Sequence, residues 1–228
     1  MPKLTWHGHS CFTLRTEETT ILFDPWLDDN PVADIASSDV RDLDYLLISH
    51  GHFDHLGDAV AIARQTGATI VTTFELASFC GSQGVENIHG MNIGGGYDFP
   101  FGRVKLTAAL HTGSVEGDAE GAYTTDCVGF LLTLKGGSSL YHAGDTALIT
   151  DMQLLRGQVD VALLPIGDNY TMGPADAARA VDFIRPRTVI PMHYNALELT
   201  EQDPEDFREA VGDIARVEIL SPGGSYDF

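Results

Sequence analysis

The chain has 228 residues, 43% of them hydrophobic, and a formal net charge of −20 from 33 acidic residues against 13 Lys plus Arg. That is ample apolar material for one domain over residues 1–228 with a sizeable core, while the acidity and the lack of a basic cluster argue against nucleic acid, which is bound largely by neutralising phosphates. No stretch approaches the length of a transmembrane helix, and Met1-Pro2-Lys3-Leu4-Thr5-Trp6-His7 has no apolar export core, so a cytoplasmic protein without a membrane partner is expected.

Leu4 to Trp6, Cys11 to Leu14 and Thr20 to Phe23 read as short strands, with Glu17-Glu18 as a hairpin tip and His7-Gly8-His9-Ser10 between the first two. Asp24-Pro25-Trp26 ends the third, Asp28 to Asp42 is a polar connection, and Tyr45-Leu46-Leu47-Ile48 is a buried strand. Helices follow at Ala59 to Gln65, closed by Gly67, and at Phe74 to Cys80, with a strand at Ala68 to Val71 between them. Successive βα units imply parallel pairing with helices outside. The middle of the chain alternates as strands at Tyr97 to Phe101 and Val104 to Leu110, after a turn at Gly94-Gly95-Gly96. Gly113 to Ala122 reads as a loop over the site, and Cys127 to Leu134 with Ser138 to His142 as a hairpin through Gly136-Gly137. The last third returns to α/β rhythm: strand Val161 to Leu164, helix Ala175 to Ile184, strand Thr188 to Ile190 and helix Asp203 to Gly212. With β-rich and α/β stretches in both halves, two sheets packed face to face between helices fit best. The three separated cysteines Cys11, Cys80 and Cys127 form no metal knuckle or disulfide framework and read as small buried hydrophobes.

The chemistry concentrates at Ser49-His50-Gly51-His52-Phe53-Asp54-His55-Leu56-Gly57, on the loop leaving a strand's C-terminal end, where α/β folds collect their chemistry. His50 and His52, at alternate positions of an extended segment, can share one ion, and Asp54 and His55 can reach a second. His111, Asp145 and His193 each end a strand and complete two coordination spheres. His50, His52 and His111 are assigned to the first metal, Asp54, His55 and His193 to the second, and Asp145 to both. Imidazole and carboxylate suit zinc first, with manganese, iron or nickel also accepted. Two divalent ions, two carboxylates and a bridging hydroxide leave a local charge of about +1, which attracts an anionic group or a developing oxyanion.

The HGHFDH cluster, His111, the triplet Gly144-Asp145-Thr146 and His193 resemble, in order and spacing, the metallo-β-lactamase superfamily. HGHSC near the start, HAGDTAL, LLPIGDNYTMGP and IPMHYN are similar to its uncharacterised metal-dependent hydrolase family, close to the ascorbate-6-phosphate lactonase branch. The resemblance covers nearly the whole chain. It implies a four-layer αββα sandwich with two metals at the sheet edge and hydrolysis by a metal-bound hydroxide. Substrate is not implied, because one fold hosts many reactions. The chain departs from flavodiiron relatives, which carry Glu in place of His52 and need a flavin domain. It also lacks the export signal of true β-lactamases, the basic arm of tRNA-processing relatives and the membrane-facing element of lipases. A lactonase, esterase or phosphodiesterase acting on a small, anionic molecule is what remains; the alternative is a catalytically silent metal-bearing protein that binds or senses a metabolite.

In such an enzyme Asp54 orients the hydroxide or accepts its proton, and Tyr194 is a candidate for protonating the leaving group. The resemblance puts His9 near the metals, in contact with a ligand or with substrate. Asp24 ends a strand at the same edge and is placed to buttress a ligand histidine, or else is simply a turn residue before Pro25. Thr171 and Gly173 stand where free helix N–H groups can hold an anion, unless Thr171 only caps that helix. His142 reads as a satisfied core histidine. Trp26 and Phe53 would line either a substrate mouth or a contact between copies of the chain in a homo-oligomer.

Overall fold

A computed structural model describes residues 1–115 and 125–228. Its strands are β1 Lys3–Trp6, β2 Phe12–Arg15, β3 Thr20–Phe23, β4 Tyr45–Leu47, β5 Thr69–Thr73, β6 Ile88–Met91, β7 Gly96–Phe99, β8 Gly102–Ala108, β9 Val128–Leu134, β10 Ser139–His142, β11 Val161–Pro165, β12 Thr188–Met192, β13 Arg216–Val217 and β14 Ser225–Asp227. The helices are α1 Phe53–Leu56, α2 Ala59–Thr66, α3 Phe74–Ser82, α4 Pro174–Ile184 and α5 Pro204–Val211. Most of the expected loop assigned to Gly113 to Ala122 lies outside the described residues.

Two mixed seven-stranded sheets form the sandwich, in the orders β14-β1-β2-β3-β4-β5-β6 and β13-β12-β11-β10-β9-β8-β7. Alternation of side chains decides which residues face which layer. On β3, Ile21 and Phe23 enter the core between the sheets while Leu22 joins the core under α2 and α3; β4 divides Leu47 from Leu46 in the same way. The strands β11 and β12 are buried along their whole length, as expected for parallel strands covered on both faces; α4 and α5 close the outer side with Ala177, Val181 and Phe207. A fourteenth strand at the C-terminus, not legible in the sequence, crosses to pair with β1, and the Tyr226 hydroxyl lies 3.0 Å from Thr188 Oγ1 on the opposite sheet.

The topology also gathers the site. The strand β1 is antiparallel to β2, and β2 to β3, so β1, β3 and the parallel neighbour β4 point the same way. In the other sheet β8 and β10 flank the antiparallel β9, and β11 and β12 follow β10 in parallel. The loops after β1, β3, β4, β8, β10 and β12 carry His9, Asp24, His50, His111, Asp145 and His193. Two of these positions differ from expectation: β8 and β10 stop at Ala108 and His142, so His111 and Asp145 each stand three residues beyond a strand end. Strand pairing stops there because those backbones turn into contacts between loops: the Leu110 N–H donates to Thr146 Oγ1 at 3.0 Å and the Ala147 N–H to the Leu110 carbonyl at 3.0 Å.

The inner core is aromatic where it backs the site. Phe130 is fully buried with its ring 6.3 Å from that of Phe23, and Phe23 stacks on His142 at 5.1 Å. Truncating such a ring removes its burial and leaves a cavity. Phe130→Ala is expected to lower the unfolding free energy by about 3–5 kcal/mol, measured by urea denaturation of the metal-free protein.

Candidate metal centre

The centre starts from Asp24, a carboxylate with no solvent exposure. The Ser49 N–H donates to its Oδ1 at 2.7 Å, the Ser49 hydroxyl to its Oδ2 at 2.7 Å, and the His55 Nδ1–H to Oδ2 at 2.8 Å. An ionised carboxylate only accepts, so His55 must carry its proton on Nδ1 there and turn Nε2 into the site. With its one proton given to Asp24, Ser49 Oγ accepts from His50 Nδ1–H at 3.0 Å, which leaves His50 Nε2 bare, 3.0 Å from His52 Nδ1. This is the carboxylate–histidine pairing that usually stands behind a metal ligand. Asp24 thus occupies the buttressing position. Ser49 shares it, a role signalled in the sequence only by its place immediately before His50.

Three groups of donor atoms result, each within 4.8 Å of one another: His50, His52 and His111; His50, His55 and Asp145; and His9, Asp54, His55 and His193. Asp145 lies between them. Its Oδ1 is 3.2 Å from His55 Nε2, and its Oδ2 is 3.0 Å from His193 Nε2 and 3.6 Å from His111 Nε2. His193 Nε2 and His55 Nε2 stand 3.6 and 3.8 Å from Asp54 Oδ2. The His9 Nε2–H donates to that same oxygen at 2.9 Å, so His9 touches a candidate ligand directly. Yet His55 Nε2, Asp145 Oδ1 and His193 Nε2 are buried without a properly aligned hydrogen bond. Buried polar atoms are ordinarily satisfied; these converge on a common space, and the donor set of imidazoles and carboxylates fits divalent ions once the ring nitrogens are deprotonated.

The backbone is strained at this place. His9, Asp24 and His193 have φ of 51°, 39° and 57°, a region that costs non-glycine residues energy and collects at functional sites. His9 and His193 are locked together: the His193 N–H donates to the His9 carbonyl at 3.0 Å, and that carbonyl also accepts from Trp6 Nε1 at 2.9 Å. Gly144 has φ of 61°, and a Cβ there would lie 2.5 Å from the Val128 carbonyl oxygen, so the turn presenting Asp145 accepts only glycine.

Charge is unevenly held. Burial opposes protonation of His55 and His193, but the carboxylate of Asp145 and its neighbours overcome it, raising His55 well above the ordinary imidazole range and His193 to about 9. Burial, reinforced by His193, pushes His9 down to about 4, and burial with His55 holds His50 well below its usual value. Burial likewise works against the charge of Asp145 and Asp54, yet the facing histidines hold both carboxyls well below the usual range.

Other expected residues fall elsewhere. Tyr194 turns away from the site, stacked on Trp6 at 5.5 Å in the inter-sheet core, where burial pushes its phenol up to about 12. The strand ends at Met192 and the chain turns at His193, which leaves Tyr194 outside the cavity lining. Gly173 caps α4, with Pro174 in the first helical position, and the Thr171 hydroxyl donates to the Met172 carbonyl at 3.2 Å; Thr171 neither caps the helix nor lines the cavity. The lining residue of that loop is Tyr170, with Phe53, Thr112 and the turn Leu197-Glu198-Leu199. Together with His52, Asp54, His111, Asp145 and His193 they bound a cavity of about 530 Å³. Exposed side chains after β11 and β12 were the signal for Tyr170 and Leu199, but it appears only once the loops are placed. His142 is a satisfied core histidine, donating from Nε2 to the Ser10 carbonyl at 3.0 Å. Trp26 is buried, and the three cysteines are free and buried. Among the described residues no helix is long and apolar enough to cross a membrane.

Two facing mixed sheets with a histidine–carboxylate cluster on one shared edge define the metallo-β-lactamase class, and the Beta-lactamase superfamily domain matches residues 19–194. Within that superfamily the chain belongs to the UPF0173 metal-dependent hydrolase family. It is 49% identical to the member from Heliobacterium modesticaldum over 232 residues, covering 98% of this chain and 96% of that protein, and 51% identical to the member from Desulforamulus reducens over 230 residues, covering 97% of each. Its fold is similar to that of Igni18, a metallo hydrolase from the hyperthermophilic archaeon Ignicoccus hospitalis, with a TM-score of 0.87 and 33% identity over 100% of this chain and 99% of that one.

Two outcomes test the centre without any substrate. Asp24→Asn is expected to weaken metal binding about 10–100-fold, the usual cost of losing such a partner, measured by competition with a chromophoric chelator while circular dichroism stays native. At pH 7 His193, raised to about 9, carries a second proton in the metal-free protein, and His55 is raised well above the ordinary imidazole range; ligand nitrogens must lose such protons. Metal uptake at pH 7 should therefore release about two protons, and fewer as the pH rises through 9; the buffer dependence of the calorimetric heat reads this number.

Proposed function

We propose that this metal-dependent hydrolase works with two divalent ions on a small-molecule ester, lactone or phosphodiester. The observation that carries the reading is the set of buried ligand atoms of His55, Asp145 and His193 without an aligned hydrogen bond, beside the His50-His52-His111 group. His50, His52 and His111 would hold one ion, Asp54, His55 and His193 the other, and Asp145 both; zinc is the first choice, with manganese, iron and nickel compatible with the same donors. Bound there, such ions would bring the pKa of a water towards neutrality and polarise the scissile carbonyl or phosphoryl oxygen. Asp54 lines the cavity and is braced by His9, so its carboxylate orients the attacking water rather than swinging freely. Tyr194 is not among the residues that line the cavity. With no basic patch in the sequence and no membrane-spanning helix among the described residues, the partner proposed is a small molecule, and the location proposed is the cytoplasm.

Metal content after purification, followed by assay of lactones, esters and phosphodiesters with zinc and with manganese, tests this directly. Asp54→Asn is expected to lower kcat/KM about 10²–10⁴-fold, the range a positioned water-orienting or proton-handling group contributes, and His193→Ala to lower bound metal as well. Absence of turnover on every class, with tight binding of a metabolite, would instead favour the silent binding protein.

A further inference from the structure

We infer that the part of the substrate lying outside the metal centre is uncharged and apolar, an alkyl or aryl group gripped by Phe53, Tyr170, Leu197 and Leu199, and that Glu198 rejects anionic substrates at the mouth. This rests on the hydrolase reading and narrows it. The expectation of an anionic molecule came from the charge of the ions alone, which concerns the reacting group; the walls above it have a different character.

Among the described residues no Lys or Arg lines the cavity, and the acid on its rim is Glu198. In a chain of net charge −20, a negative group at this mouth, above the metal floor, meets repulsion from Glu198 with no Lys or Arg on the walls to offset it. The walls instead expose large apolar side chains: Phe53 is 44%, Tyr170 48% and Leu199 61% exposed. Scattered single exposures need no explanation, but a group of them rimming one concave site marks a binding surface.

These side chains are exposed on backbone that cannot fold them away. Phe53 opens α1 next to Asp54, and its ring packs edge-on against buried Trp26 at 5.5 Å; Trp26 in turn meets His9 at 5.1 Å. Tyr170 sits in a turn with φ of 57° at Asp168 and 34° at Asn169, closed by Thr171 N–H to the Asp168 carbonyl at 2.8 Å and moored by Met172 N–H to the Thr146 carbonyl at 3.1 Å. The 197–199 turn hangs on fully buried Thr200, whose hydroxyl donates to the Leu197 carbonyl at 2.9 Å and whose carbonyl accepts from Asn195 N–H at 3.0 Å. Three separate loops, each pinned from behind, hold apolar groups open around the same floor. Such preorganisation favours a ligand that covers them.

The test uses the zinc-loaded protein and two esters that differ only at the far end of the acyl chain, 4-nitrophenyl hexanoate and mono(4-nitrophenyl) adipate. The neutral ester should be favoured in kcat/KM by about tenfold or more, the scale on which pocket contacts discriminate. Tyr170→Ala and Leu199→Ala should each lower kcat/KM for the hexanoate about tenfold through KM, with little change for the adipate, and Glu198→Lys should raise the adipate rate selectively. Binding of hexananilide and adipic acid monoanilide, measured by calorimetry, gives a readout independent of turnover. If neither ester is cleaved but hexananilide binds tighter and Tyr170→Ala removes the difference, the ester-hydrolase reading fails and the specificity stands. Equal handling of the two partners in both assays overturns the inference. So does a preference unmoved by Tyr170→Ala and Glu198→Lys, or a Leu199→Ala variant that changes only the oligomeric state.

Discussion

The centre depends on one buried carboxylate. Asp24 sits away from water where Ser49 gives it two hydrogen bonds and His55 a third, so the buried carboxylate's oxygens are satisfied. The same three bonds decide which nitrogen of His55 faces the site and, through the Ser49 hydroxyl, which nitrogen of His50 does. A ligand set is only as good as its tautomers, and here they are set by a residue that touches none of the candidate ion space itself.

Around that anchor the fold concentrates cost. Three non-glycine residues sit at positive φ, and buried ring nitrogens and a carboxylate oxygen lie without an aligned hydrogen bond. A protein stabilised only by such an arrangement would unfold; this one carries it on two sheets whose inner faces form a continuous apolar core behind the site, with Phe23 and Phe130 next to His142. Divalent ions would satisfy the unpartnered atoms and neutralise the packed carboxylates, so the strain makes sense as preorganisation for metal.

The floor and the walls of the cavity have separate jobs. The floor is built of histidines and carboxylates on strand-end loops. The walls are Phe53 beside the metal loop, Tyr170 after β11 and the 197–199 turn after β12. Loops can change without disturbing strand pairing, so a fold of this kind can keep its hydrolytic floor and alter its choice of substrate by changing the rim.

By itself the sequence determined the class of fold and the set of candidate ligands. Alternating and continuous apolar runs place Thr20–Phe23, Val161–Leu164 and Phe74–Cys80 within a residue or two of their observed ends, because burial on one or two faces is a local periodic signal. His50, His52, Asp54 and His55 are legible because they are crowded into six positions, and His111, Asp145 and His193 by their order and spacing after them. What only the tertiary structure decided is everything that depends on direction and on partners distant in sequence. The edge strands β6, β13 and β14 are short and only partly buried, with no periodic pattern to betray them. Tyr194 is a plausible acid until the turn at His193 places its ring in the core beside Trp6. Ser49 and His9 acquire their roles from Asp24 and Asp54, 25 and 45 residues away. Composition records how many such groups a chain possesses; only folding determines which of them face one another.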